Sequence, residues 1–405
     1  MIDFEPSQSA TAQRQAVHAL AQSAMRPIAR EYDEREHERP WDFIRVMWEL
    51  ARQMDAERGR RGEEAGLRRE RTLSLVMTAE ELAWGDAGLF ICAPGPGLGG
   101  VAITAAGTPE QQKRFLGRFR EGEPKWGAMA ITEAHCGSDT AAIRTTAARD
   151  GDDWVLNGTK IFCTGGQMAA EHPGGFVVVW ATVDKSAGRA GIKPFIVEAG
   201  TPGMKVLKVE DKLGIRASDT ATLVFEDCRV PLSNILGDPE VTLEPAGFKG
   251  VMATFDASRP LVAAMAIGVG RAALDYLRDL LKEKGIPIRY GVAPTRLTAL
   301  ERDFMDMEAD LHAARLLAWR AAWMIDQGLR NNLEASMAKA KAGLAAARIT
   351  QKVVELLGPL GYSRDHPAEK WMRDAKINDI FEGTQQINML IVARRILDYS
   401  RRELS

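Results

Sequence analysis

Cysteine, histidine and long apolar runs are all scarce in this 405-residue chain. The four cysteines, Cys92, Cys136, Cys163 and Cys228, stand far apart with no C-x-x-C pair. Such spacing argues against a disulfide framework and against a thiolate metal site, and it suits buried or free thiols in a reducing compartment. The six histidines form no ligand cluster, and His135 reads as a polar surface residue. Neither sign of charge dominates: Lys+Arg 53 faces Asp+Glu 55, a net charge of −2. That balance gives no general attraction to nucleic acid or to a membrane surface. The opening "MIDFEPSQSA" has no apolar h-region, which predicts a cytoplasmic rather than a secreted protein. No apolar run has the length of a membrane span, and "LVAAMAIGVG" ends at Arg271. The sequences G-x-S-x-G, H-E-x-x-H and Walker A are absent as well.

What is present has the texture of a globular protein too long for one core. Residues 1–121 read as a helical domain, with apolar positions three and four apart in "QRQAVHALAQSAMRPIAREYDE" and "TLSLVMTAEELAWGDAG". Between them, "ARQMDAERGRRGEEAGLRRER" reads as a solvated helix face or an exposed loop. From 122 to 240 the chain breaks into short β-rich runs such as "GGFVVVWATVD" and "ATLVFEDCRV". Turn clusters including "RDGDD", "NGT" and "GTPG" punctuate them. This predicts an antiparallel sheet domain. Helical periodicity returns over 241–405, with Ala-rich stretches such as "EASMAKAKAGLAAARIT". The fold class is therefore α+β and multidomain, in the order helical, β, helical.

Two glycine motifs invite a nucleotide reading and fail it. "GVGRAA", Gly268 to Ala273, fits a dinucleotide fingerprint only after a strand, yet its flanks form one helical pattern. Small residues there predict close helix packing instead. "PGPGLGG", Pro94 to Gly100, has no preceding strand and reads as a loop between helices lining a pocket.

Two other segments carry chemistry. "AITEAHCGSDTAA" with "LNGTKIFCTGG" sets hydroxyls (Thr132, Ser138, Thr164) beside apolar Ile131 and Phe162, a combination suited to a flat heterocycle with polar edges. "DIFEGTQQINMLIVAR" sets one carboxylate, Glu382, among apolar residues and next to Gly383. A carboxylate so placed either pairs with a cation such as Arg373 or Lys376, or works as a base strengthened by desolvation. Spacing alone leaves both readings open.

At these residues the sequence resembles the acyl-CoA dehydrogenase family of flavoproteins. T-E-x-x-x-G-S-D, N-G-x-K and F-E-G-T occur in that order, and the likeness extends to "EELAWGDAG", "DKLGIRASDTATLVFEDCRVP", "FDASRP" and "EKWMRDAKI". The resemblance implies a helical N-terminal domain, a β middle domain and a C-terminal four-helix bundle, with FAD as cofactor. It implies that Met129, Ile131, Thr132 and Ser138 line the flavin and that Phe162, Cys163 and Thr164 pack on it or bond its edge. Gly383, Thr384 and Gln386 would cover the rest of the cofactor, with Arg289 and Tyr290 reaching a neighbouring subunit's FAD. Ser138, Phe255, Asp256 and Arg259 match positions that hold the CoA thioester. Glu382 matches the catalytic base of the short- and medium-chain type, whereas relatives that carry the base on an earlier helix would place it at Ser258. The implied reaction is α,β-dehydrogenation of an acyl-CoA to a trans-2-enoyl-CoA in fatty-acid β-oxidation. Glu382 would take the α-proton, and flavin N5 would take the hydride. An electron-transfer flavoprotein would be the electron acceptor, and the assembly a homotetramer, a dimer of dimers.

The chain departs from the family pattern at subunit-bridging positions. Pro287 stands where an arginine is usual, Thr298 where glutamine is common, and Glu355 and Pro359 replace the Gln and Gly of Q-x-x-G-G. These departures keep open a mixed assembly with a related, non-catalytic chain. An oxidase or monooxygenase on the same scaffold is the enzymatic alternative, although the monooxygenase relatives typically lack the F-E-G-T glutamate. Acyl chain length is not carried over, and Gly99 with Gly100 hints at a roomy pocket.

Overall fold

A computed structural model describes residues 5–60, 70–237, 246–399 and 403. The N-terminal helices are α1 (Gln8–Leu20), α2 (Arg26–Glu34), α3 (Trp41–Arg60), α4 (Arg71–Cys92), α5 (Gly97–Ala106) and α6 (Pro109–Leu116). Within the arginine-rich stretch, α3 runs through residue 60, and residues 61–69 lie outside the described residues. Thr108 caps α6 with a reciprocal box to Gln111, as the "GTPEQ" sequence favours. α4 breaks at Asp86, which leaves helical dihedrals (φ −166°, ψ 126°), and the Asp86 carboxylate accepts the Leu89 N–H at 2.8 Å. The break is thus capped from within.

Among the described residues seven strands follow: β1 (Gly127–Ala130), β2 (Thr146–Asp150), β3 (Asp153–Thr164), β4 (Phe176–Thr182), β5 (Ile192–Glu198), β6 (Met204–Val209) and β7 (Thr220–Pro231). Their order is β1-β4-β2-β3-β7-β6, with β5 also on β4. Four ladders are antiparallel among the described residues, and β1 runs parallel to β4, as does the single β2–β4 contact. β1 and β4 are separated in sequence by β2, β3 and the short helix α7 (Gly166–Glu171), a connection long enough to cross over. The "RDGDD" turn closes the β2–β3 hairpin. "NGT" does not turn: it lies inside β3, where the register slips between Leu156 and Gly158 and Asn157 bonds Asp227 across to β7. β4 is buried from Phe176 to Ala181 because α5 and α6 cover one face, the β3–β7 layer covers the other, and β5 pairs along its edge.

The C-terminal part contains α8 (Ala246–Glu283), α9 (Ala299–Asp326), α10 (Asn332–Leu357), α11 (Ala368–Lys376) and α12 (Gln385–Ile396). Residues 238–245, where the sheet was expected to end, lie outside the described residues. The core joining α4, α8, α9, α10 and α11 is dominated by alanine, so the helix axes approach closely. "GVGRAA" belongs to α8, as its flanks predicted. A Cβ on Gly268 would stand 2.3 Å from the Glu80 carbonyl of α4. Residues Thr254–Glu283 are long and apolar enough to cross a membrane by composition, but 72% of an apolar 18-residue window within them is buried.

A charged cluster ties the three parts together. Lys370 on α11, 3% exposed, bonds Asp86 at the α4 break and Asp374 at 2.6 Å. Asp374 in turn accepts the Ile215 N–H at 2.6 Å, from the loop before β7. Arg373 completes it with Asp33 of α2 at 2.6 Å.

Candidate active site

A cavity of about 630 Å³ opens between one end of the sheet and the segment that joins α11 to α12. On the sheet side, β3 alternates inward and outward, so Trp154, Leu156 and Lys160 face the interior. A lysine on that face needs an acid. Glu133 supplies it, accepting from Lys160 Nζ at 2.7 Å, from the Thr145 hydroxyl at 2.6 Å and from the Arg144 and Thr145 amides. Burial alone would raise the Glu133 carboxyl, but Lys160 and Thr145 outweigh it and hold it at about 2. Lys160 also donates to the Ile131 carbonyl at 3.1 Å. The T-E and N-G-x-K motifs are therefore two halves of one buried clamp, which fixes Ile131 and Thr132 at the cavity wall.

Beyond the clamp β3 bulges between Lys160 and Cys163. Phe162 takes a left-handed backbone there (φ 56°) and stands 61% exposed at the cavity edge. Strain at an exposed aromatic is retained where the ring has a surface to serve. Thr132, Ser138 and Thr164 line the same cavity. Cys163 points the other way: its thiol is buried, donates to the Met129 carbonyl at 3.4 Å, and is pushed by burial above the ordinary thiol range.

The opposite wall is built on a strained turn. After the 3₁₀ turn Ile377–Asp379, Glu382 (φ 57°) and Gly383 (φ 85°) are both left-handed, and Thr384 then caps α12 by accepting the Ile387 N–H. Glu382 Oε2 accepts from Ser258 Oγ of α8 at 2.5 Å. Burial raises the Glu382 carboxyl above its ordinary value, while Ser258, Arg259 and Lys339 oppose the rise. The pairing alternative does not hold: Arg373 is taken by Asp33 and Glu369, and Lys376 by Asp379 at 3.1 Å.

α8 delivers Ser258 and Arg259 despite the proline that follows them. Pro260 has no N–H for the Asp256 carbonyl, and Asn331 Nδ2 donates to that carbonyl instead at 3.1 Å. Arg259 is buried, bonds Asp256 at 3.0 Å, and is lowered from the usual arginine range by desolvation. Its Nε has no hydrogen-bond partner among the described residues. An unpartnered buried donor, an aromatic ring without cover and three hydroxyls at one opening fit a flat, polar-edged group such as a flavin with its substrate.

Of the sequence-predicted positions, the cavity gathers Met129, Ile131, Thr132, Ser138, Phe162, Thr164, Phe255, Arg259, Glu382, Gly383 and Thr384. It does not gather Cys163, Asp256, Gln386, Arg289 or Tyr290. Gln386 is exposed on α12. Arg289 bonds Glu301 at 2.6 Å, and Tyr290, 60% exposed, donates to Glu308 at 2.7 Å. Thr298 caps α9 with Glu301, Glu355 bonds Lys352, and Pro359 opens a one-turn helix. Gly99 and Gly100 do not line the cavity. A Cβ on Gly99 would lie 2.5 Å from the Ala128 carbonyl, so that glycine lets α5 sit on β1 rather than enlarging a pocket. Sequence reasoning missed Ser258 as a partner of Glu382 and the wall segment Glu210–Ile215.

Helix–sheet–helix order, a clamped β3 edge and an acid on a glycine turn suit a flavin-binding scaffold, and the chain belongs to the acyl-CoA dehydrogenase family. It matches that family's N-terminal domain over residues 7–123, its middle domain over 128–228 and its C-terminal domain over 246–397. It is 38% identical over 386 residues to the mitochondrial short-chain specific acyl-CoA dehydrogenase of Bos taurus, covering 95% of this chain and 89% of that protein. The structure of butyryl-CoA dehydrogenase from Megasphaera elsdenii superposes with a TM-score of 0.85 at 32% identity, covering 98% of this chain and all of that one. A chain solved in a study of the electron transferring flavoprotein of Acidaminococcus fermentans superposes with a TM-score of 0.83 at 34% identity, covering 98% and 100%. The protein is an FAD-dependent acyl-CoA dehydrogenase.

Proposed function

We propose that Glu382 is the base that removes the α-proton of a short acyl-CoA thioester. The carrying observation is its placement: a carboxyl raised by burial, on a strained turn, in the wall facing Phe162, with no arginine or lysine in ion-pair contact among the described residues. The α-C–H bond breaks and its proton passes to the Glu382 carboxylate, which desolvation has made more basic. The Glu382 backbone N–H donates to the thioester carbonyl, where negative charge develops. Phe162 supports the flat cofactor, and Thr132 and Thr164 hold its edge. Bound FAD supplies the acceptor for the β-hydride. Arg259 and Phe255 orient the thioester from α8.

A short acyl group is favoured by the similarity to the bovine short-chain and Megasphaera butyryl-CoA enzymes. Leu98, Ile131 and Phe255 give the cavity apolar lining for an acyl group and belong to, or pack against, the core that includes α5 and β1. The same proposal includes domain divisions near residues 121 and 240, an electron-transfer flavoprotein as acceptor, and a cytoplasmic role in β-oxidation. It also includes Gln386 covering the cofactor beside Gly383 and Thr384, and a homotetramer in which Arg289 and Tyr290 serve a neighbouring subunit's FAD. Exposed Trp323, Leu344, Met389, Leu390 and Ile396 along α9, α10 and α12 support assembly through the helical bundle.

The test is anaerobic bleaching of the flavin absorbance by a panel of acyl-CoAs of rising chain length. Butyryl-CoA is expected to bleach the parent protein fastest. Glu382→Gln is expected to retain FAD and bind a CoA ligand while bleaching at least about 10³-fold more slowly. Parental bleaching by that variant would place the base elsewhere.

A further inference from the structure

Lys339 of α10 is 1% exposed, yet no ion pair holds it among the described residues. Its ammonium crosses to the Glu382 turn and donates to the Gly383 carbonyl at 2.6 Å, and Asn388 Nδ2 donates to the same oxygen at 2.8 Å. Two donors on one carbonyl fix the peptide plane that follows Gly383. That plane leads directly into the Thr384 cap, so the left-handed pair Glu382–Gly383 is held from its C-terminal side. The charged groups facing Lys339 are Glu382 and Asp379 from the joining segment and Arg259 from α8. Asp379 is shared with Lys376 and Arg259 with Asp256, which leaves Glu382 as the carboxylate that Lys339 most directly serves.

A neutral side chain could bond a carbonyl at far lower desolvation cost than a buried ammonium. The charge itself therefore needs a reason. We propose that Lys339 is a positioning residue for the base: it locks the Glu382–Gly383 turn and supplies the positive potential that keeps the desolvated Glu382 carboxylate ionised. This inference rests on Glu382 being the base. Burial brings the Lys339 ammonium down to about 8, so its charge is present across the neutral range and fades just above it.

The test is rapid-mixing anaerobic bleaching of the FAD-loaded protein by butyryl-CoA across pH, with Lys339→Met and Lys339→Gln beside the parent. Lys339→Met, similar in length and uncharged, is expected to retain FAD and to bleach about tenfold or more slowly. The pH at which its bleaching turns on should rise by about one unit, because a nearby cation that favoured the carboxylate is gone. Lys339→Gln keeps a donor for the Gly383 carbonyl. It should recover part of the rate while showing the full pH displacement, and it decides the matter if Lys339→Met loses its flavin. A merely structural lysine would lower FAD content or stability without moving the pH profile. Unchanged profiles in both variants, with a parent that bleaches, overturn the role of Lys339 alone. A parent that no acyl-CoA bleaches overturns the reading of Glu382 and this inference with it.

Discussion

At the scale of single residues, the site works by balancing one unfavourable term against several weak favourable ones. Desolvation makes Glu382 a stronger base but also tends to protonate it, and Ser258 is the nearest group opposing that. Ser258→Ala removes a donor to the charged form, so the Glu382 carboxyl should rise further. Bleaching by butyryl-CoA should then turn on at a pH about one unit higher, with the rate above that point little changed. A profile that stays put would mean the hydroxyl does not act on the base. Glu382 itself was legible in the sequence as a lone acid among apolar residues. Ser258 and Lys339 were not, because their contacts span 124 and 44 residues and leave no local pattern. Glu133 and Lys160 lie between these cases: β3 alternation already turns Lys160 inward and demands a partner, although it does not name Glu133.

At the scale of elements, sequence texture predicted the helices and strands well and their close approaches poorly. The "NGT" triplet has turn composition, yet pairing with β7 on both sides absorbs it as a bulge. "PGPGLGG" has loop composition, yet Gly97 already starts α5, because β1 offers a flat surface to sit on. Periodicity describes which face is apolar, not how near the neighbour lies. Gly268 shows the consequence. Alanine is the better helix former by about 1 kcal/mol. Here its methyl would press on the α4 backbone at Glu80. Gly268→Ala is therefore expected to destabilise the protein by about 1–3 kcal/mol in denaturant unfolding. A stabilised variant would show that α4 and α8 can separate without loss.

At the scale of the whole molecule, the N-terminal helices, the sheet and the helical bundle meet at Lys370. Asp86 and Asp374 accept from one ammonium, and the Ile215 amide, from a third part of the chain, donates to Asp374. Lys370→Met would leave two buried carboxylates without their cation. The expected loss is about 3–5 kcal/mol, with a lower thermal midpoint and weaker FAD retention, since the cluster anchors both α11 and the 210–215 wall. Wild-type unfolding behaviour in that variant would show that the Lys370 ammonium is not what holds the three parts together. None of this convergence could be read from "EKWMRDAKI" or "WGDAG" in isolation, because the contacts join residues 284 and 159 positions apart.

The left-handed backbone at Glu382 carries one more implication. Glycine adopts that conformation without the penalty a side chain incurs, about 1 kcal/mol or more, and has no carboxyl to dehydrate. On the proposed role of Glu382, replacing it with glycine should thus give a more robust but inert protein. Under that role, stability and turnover pull this position in opposite directions, toward glycine and toward an acid.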